Sequence, residues 1–231
     1  MSVVHYGFSG FACSGKTTLI KRLYKDLQHL GKEVYIFPEI ARYSIDLLYD
    51  FNHLDNFQEL IDFSVCVTQN YLLDWLYNNL TKSTQNLEVT TVFLHDRVFI
   101  DNVVFMILNN FITLEQAIDF VNKYRNKFLK VYNIVFLIGE LDDISFVQSV
   151  CMQDKAREST IKDFFNLQAV FYEYYLTILS ECFEVDFLIS STVKVKNTYF
   201  IKVNHFTNES NFENKFYNII LKNLNDQAIF S

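Results

Sequence analysis

Residues 10–17 read GFACSGKT, and the meaning of this octapeptide decides the fold. The chain has five glycines, and three of them, Gly7, Gly10 and Gly15, fall within nine residues at this stretch. Gly10, Gly15, Lys16 and Thr17 fit G-x-x-x-x-G-K-[ST], a pattern that needs a strand before it and a helix after it to carry meaning. Both are present. Residues 3–9, VVHYGFS, form a mostly apolar run that predicts a buried strand. Residues 17–30 place Leu19, Ile20, Leu23, Leu27 and Leu30 at helical spacing, and Gly31 is a natural stop. Such a loop turns its backbone N–H groups inward around an anion, with the helix N-terminus behind it. The competing reading is a tight strand-to-helix turn with no ligand.

In this pattern the lysine reaches β- and γ-phosphates and the hydroxyl ligates Mg²⁺. The expected nucleotide contacts are Gly10, Cys13, Ser14, Gly15, Lys16, Thr17 and Thr18. Thr18 also reads as an ordinary first-turn helix residue. Cys13 lies inside the loop near a helix N-terminus, a place that favours a reactive thiolate.

Further strands are expected at 33–37 (EVYIF, closed by the single proline, Pro38), 89–95, 131–138, 185–189 and 198–203. Helices are expected at 40–48, 56–80, 101–109, 114–129, over most of 144–183, and at 212–224. Strands alternating with helices predict an α/β fold of the P-loop NTPase type. It comprises a parallel sheet of about five strands with helices on both faces and a helical lid at about 140–165. Without a linker, repeat or low-complexity stretch, residues 1–231 are expected to form one domain.

The composition is ordinary for a globular protein, at 50% hydrophobic and 20% charged. The 24 Phe and 14 Tyr read as core filler supplied by AT-rich codon usage of the kind phage genomes show. A net charge of −7 weighs against nucleic acid as a partner without excluding a local basic groove. No apolar run approaches the ~20 residues of a membrane span. Four cysteines without a CxxC pair predict a reduced, cytoplasmic protein without a zinc site.

The subclass follows from what accompanies the P-loop. D-x-x-G and a completed N-K-x-D, which GTPases need, do not occur, nor does a transporter-type LSGGQ. After the third strand the chain reads VFLHDR, with Arg97 where an ATPase would carry a water-polarising Glu. Arginines are sparse and well placed. Arg42 (in PEIAR), Arg97 (in HDR) and Arg157 (in DKARE) all follow strands. Ligands collect at the carboxyl ends of parallel strands, and a planar guanidinium suits phosphate.

GFACSGKT, PEIAR, HDRVFID and DKARE, in this order and spacing, resemble the nucleoside and nucleotide kinase group of P-loop proteins. The nearest likeness is to the AAA-type kinase-like family that includes nicotinamide riboside kinase domains and phage nucleotide kinases. Thymidylate kinase and the deoxynucleoside kinases are more distant. The resemblance implies roles residue by residue. Glu39 takes the place of the general base on the acceptor hydroxyl, or else is a first-turn helix charge. Asp96 holds Mg²⁺ through water or shares the base role, against a plain ion pair with Arg97. Arg97 binds an acceptor phosphate or orients Glu39, and Arg42 contacts the acceptor. Asp101 touches a sugar hydroxyl or caps a helix. Arg157, with Lys155, closes from the lid over the γ-phosphate, against a solvated helix face. The serine that follows Asp-Arg in many thymidylate and deoxynucleoside kinases is missing from HDRVF.

The expectation is therefore an ATP- and Mg²⁺-dependent kinase with Lys16, Glu39, Asp96, Arg97 and Arg157 as catalytic groups and Thr17 and Asp96 at the metal. The acceptor is a small-molecule nucleoside or nucleoside monophosphate, and a second copy of the chain is admitted as a partner. Alternatives are a kinase of nicotinamide riboside or of a modified base in DNA, or a nucleotide-binding regulatory module without catalysis.

Overall fold

The structure, a computed structural model, describes residues 3–39, 73, 76–78, 91–139 and 164–203. Its elements run β1 (Val3–Ser9), α1 (Lys16–His29), β2 (Glu33–Phe37), β3 (Thr91–Asp96), α2 (Phe99–Leu108), α3 (Leu114–Val131), β4 (Ile134–Ile138), α4 (Phe164–Phe183), β5 (Thr192–Val195) and β6 (Thr198–Val203). The helix expected at 40–48, most of those at 56–80 and before 164, the C-terminal helix, and with them Arg42, Lys155 and Arg157, lie outside the described residues.

The sheet order is β2-β3-β1-β4-β6-β5. The first five strands in that order are parallel, and β5 adds an antiparallel edge against β6. β1 is flanked by β3 and β4, so the loop leaving its carboxyl end sits where the strand order reverses, the usual place for a ligand in an open α/β sheet. Alternation along the strands divides the core. Val4, Tyr6 and Phe8 of β1 face α1, packing with Leu19, Ile20, Leu23 and Leu27. α2, α3 and α4 cover the opposite face, where Phe128, Val135, Phe171 and Phe200 are buried. Helices thus stand on both faces, as the alternation predicts. None of the helices among the described residues is long and apolar enough to cross a membrane.

Two sequence expectations are corrected. The strand expected at 131–138 starts at Ile134, because Val131 still belongs to α3 and buries with Phe128. The strand expected at 185–189 is a turn. Glu184 takes a left-handed φ of 59° and its N–H donates to Ser180 O at 3.0 Å, the five-to-one bond of an αL helix stop, while Val185 N donates to Leu179 O at 3.2 Å. Asp186 Oδ1 then accepts from Leu188 N at 2.8 Å. Of the string VDFLI, Val185 is buried in ending α4 while Leu188 and Ile189 stand exposed, and the strand comes later, as β5. Its two-residue turn into β6 is made by Lys196, with φ 54°, and Asn197.

On the α2–α4 face of β1 and β3 lies a buried histidine pair. His5 Nδ1 and His95 Nε2 are 2.9 Å apart, one ring N–H donating to the bare nitrogen of the other. His5 stacks on Phe93 and His95 on Phe37, so both rings are enclosed by apolar surface. Burial lowers His5 from 6.5 to about 4, and holds His95 well below its usual value with the neighbouring His5 as a second cause. The folded-state value is depressed, so below pH 6.5 the unfolded chain binds protons that the native chain refuses. Stability is then lost as pH falls from 6.5 towards 4, by about 3 kcal/mol from His5 alone at pH 4, with His95 adding in the same direction. Urea unfolding at pH 7 and pH 4.5 measures this loss. Imidazole NMR titrations with midpoints near 6.5 for both residues would sink it.

Candidate active site

The loop between β1 and α1 is built from unusual backbone. Gly10 has φ 143° and Gly15 has φ 82°, while Cys13 takes a left-handed φ of 61° despite its side chain. At Gly10 the need is also steric, since a Cβ there would stand 2.8 Å from Ile138 O. Lys16 turns back into the loop. Its ammonium donates to Gly10 O at 2.8 Å, Phe11 O at 2.7 Å and Ser14 Oγ at 3.0 Å, and the residue is only 5% exposed. Desolvation, then the like charge of Arg97, lower its pKa from 10.5 to about 7 against the pull of Glu39, Asp101 and Asp96. An ammonium held this way is ready to exchange carbonyls for phosphate oxygens.

Thr17 Oγ1 donates to Asp96 Oδ2 at 2.5 Å. The other oxygen, Asp96 Oδ1, is buried without a hydrogen-bond partner. An orphaned carboxylate oxygen beside a hydroxyl fits a hard divalent cation such as Mg²⁺. Among the described residues no three His, Cys, Asp or Glu side chains converge on one point. Such an ion would therefore draw its other ligands from phosphate and water, as Mg²⁺ commonly does.

Arg97 occupies the turn between β3 and α2 in a left-handed conformation, φ 84°. The turn is seated by Arg97 N donating to Phe8 O at 3.1 Å and by Val98 packing over Gly7, where a Cβ would meet Val98 Cγ1 at 2.2 Å. The guanidinium is buried. Nε donates to Glu39 Oε1, Nη1 donates to Gly10 O at 3.1 Å, and Nη1 also lies 3.5 Å from Asp101 Oδ1. Its carbon sits 4.9 Å over the Phe105 ring. Of the two roles expected for Arg97, this geometry fits the orientation of Glu39.

Asp101 is fully buried and faces inward. Oδ2 accepts from Ser9 Oγ at 2.7 Å and Val98 N at 2.9 Å, while Oδ1 accepts from Gly10 N at 3.2 Å. Burial raises its pKa, with Arg97, Ser9, Lys16 and Val98 opposing. Every polar contact on its two oxygens is a donor, the pattern of an ionised carboxylate. Of the two readings of Asp101, these contacts fit the helix cap: it reaches back to the N-cap amide of α2 and holds the start of the P-loop.

Gly10, Ser14, Lys16, Thr17, Glu39, Asp96, Arg97 and Asp101 are therefore brought together at the carboxyl edge of the sheet. Thr18 is exposed on the first turn of α1 and Cys13 is 7% exposed in the core beside Phe11. Three contributors are absent from the sequence reading. Ser9 joins through Asp101, and α4 supplies Tyr175, which donates to Ser9 Oγ at 2.7 Å, and Tyr172, which donates to Ile138 O and accepts from Phe11 N at 3.3 Å. Two tyrosines among fourteen carry no local signal of this role.

No known family model matches the chain, and no curated protein matches it. Solved structures do. Deoxyadenosine kinase from M. mycoides, with the products dCMP and a flexible dCDP bound, gives a TM-score of 0.53 at 16% identity, over 95% of this chain and 100% of that one. A second structure of that kinase, with dATP bound, gives 0.47 at 17% identity, over 97% and 100%. The chain shares its α/β fold with the first of these; in this chain the six-stranded sheet is mostly parallel and the P-loop leaves the strand flanked by β3 and β4.

Proposed function

We propose that the protein is an ATP- and Mg²⁺-dependent kinase that transfers the γ-phosphoryl group to a hydroxyl of a nucleoside. The observation that carries this reading is the buried Glu39–Arg97 pair next to the P-loop lysine. A carboxylate so held can accept the acceptor's proton as the phosphoryl group moves. Lys16 and the loop amides would neutralise charge on the transferring group. Thr17 and Asp96 would hold Mg²⁺, which would supply positive charge against the phosphates. The Arg97 guanidinium is taken up by Glu39, Gly10 O and Asp101, which favours an uncharged acceptor over a nucleoside monophosphate. The fold shared with deoxyadenosine kinase supports the same class. Arg42 and Arg157 are retained in the proposal as acceptor and γ-phosphate contacts.

A panel of deoxynucleosides, ribonucleosides, nucleoside monophosphates and nicotinamide riboside, with ATP and Mg²⁺, tests the reading through ADP release. One or a few nucleosides should stimulate release strongly. Glu39→Gln should lower kcat about 10²- to 10⁴-fold while the KM for ATP changes little. ADP release that ignores the acceptor throughout the panel counts against a kinase.

A further inference from the structure

Asp101 has no place in the transfer step above, yet it receives a chain of hydrogen bonds that starts in a distant helix. Tyr175 on α4 donates to Ser9 at the end of β1, and Ser9 donates to Asp101 on α2. Tyr175, Ser9 and Asp101 are each 0% exposed, so water does not compete for these bonds. The direction of donation is fixed along the chain, since the carboxylate can only accept. Asp101 Oδ1 then faces Arg97 Nη1 at 3.5 Å, and the same Nη1 donates to Gly10 O at 3.1 Å. The far edge of the same rigid guanidinium meets Glu39.

We propose that Asp101, oriented by Tyr175 through Ser9, is a positioning residue for phosphoryl transfer that holds Arg97 so that one guanidinium serves both the P-loop and Glu39. This rests on Glu39 being the base. A planar fork fixed at Nη1 has its Nε direction fixed as well, so anchoring at Asp101 sets where Glu39 stands relative to Gly10 and Lys16. The anchoring is also electrostatic. Arg97 divides its attraction between two carboxylates, and Asp101 repels the charge on Glu39. The other charged groups facing this pair among the described residues are Lys16 from the P-loop and Asp96 from β3. Removing the charge of Asp101 gives Glu39 the whole of Arg97 and lifts the repulsion. Both changes make Glu39 give up its proton more readily and weaken it as a base.

The test uses the full chain with ATP, Mg²⁺ and the nucleoside accepted best in the panel, and measures kcat from pH 5 to 9. Asp101→Asn keeps the shape and loses the charge. Its acid limb should move to lower pH by about one unit. A role confined to folding would scale kcat equally at every pH and leave the limb in place. Should Asp101→Asn fail to fold, Tyr175→Phe carries the test. It should lower kcat about two- to tenfold at unchanged KM for ATP, the effect of one lost hydrogen bond. A raised ATP KM with unchanged kcat in Tyr175→Phe overturns the proposal, as does an unmoved limb in a folded Asp101→Asn. An acid limb that persists in the residual turnover of Glu39→Gln overturns the base assignment and the inference together. A limb that vanishes in Glu39→Gln but stays fixed in Asp101→Asn overturns the inference alone.

Discussion

Replacing Lys16 with methionine is expected to cut phosphoryl transfer about 10²- to 10³-fold, the scale of losing one donor aimed at developing charge, and yet to stabilise the protein without nucleotide. The two effects have one cause. The ammonium is buried on loop carbonyls, and desolvation followed by the charge of Arg97 brings its pKa from 10.5 to about 7. The unfolded chain then holds this proton more tightly than the folded chain. The stability cost is full below pH 7 and disappears as pH rises to 10.5. At pH 8 it amounts to about 3 kcal/mol. Methionine removes that cost. It leaves Phe11 O and Ser14 Oγ without their donor, at about 1 kcal/mol each, while Gly10 O keeps Arg97. Lys16→Met should therefore be more stable than the parent by about 1 kcal/mol at pH 8 and less stable near pH 10, where the lysine cost has almost gone. Urea unfolding of both proteins at the two pH values measures the crossover. A parent protein that loses stability from pH 8 to 10 relative to the variant would contradict it.

This competition between binding function and stability explains which parts of the site were legible in the sequence. The P-loop announces itself because its chemistry dictates backbone as well as side chains. Gly10 and Gly15 occupy positive φ, and Lys16 and Thr17 follow at fixed spacing. Glu39, Asp96 and Arg97 were legible because they fall at strand ends, and a parallel sheet gathers strand ends along one edge. Their partners were not. Asp101 sits five residues after Asp96, a spacing shared by a sugar contact and a helix cap, and only three-dimensional burial separates the two. Ser9 looks like the last residue of a strand. Tyr172 and Tyr175 look like one more aromatic stripe, because a hydroxyl carried into a core by a helix leaves no periodic trace. The fold shows the same division. Edges of parallel strands were legible from apolar runs, whereas VDFLI misled because Val185 is buried in closing a helix while Leu188 and Ile189 stand exposed, a difference that an apolar run by itself does not reveal. The motif order also resembles the AAA-type kinase-like family first, whereas a solved structure that shares the fold is a deoxyadenosine kinase.

Arg97→Ala should be the most destabilising change in the site. The guanidinium is 5% exposed and lies between two buried carboxylates, Glu39 and Asp101. Removing one partner of a buried ion pair leaves charge uncompensated, at about 3–5 kcal/mol. Two comparisons isolate the causes. Arg97 stands at φ 84°, so Arg97→Gly, which also lacks the guanidinium, should be about 1 kcal/mol more stable than Arg97→Ala, the value of relieving left-handed backbone. Adding Glu39→Gln and Asp101→Asn to Arg97→Ala removes the unpaired charges, and the triple variant should recover most of the lost stability while remaining inactive. Arg97→Lys keeps the charge but has no fork with which to hold Glu39 and Gly10 O together. It should recover stability better than turnover, because a point charge satisfies Coulomb's law without fixing a direction. Urea midpoints across the four proteins, with ADP release for Arg97→Lys, decide the matter. A triple variant no more stable than Arg97→Ala would mean that the arginine acts through its packing on Phe105 and its bond to Gly10 O and not through the carboxylates it balances, since those two contacts are left unrestored by the added substitutions.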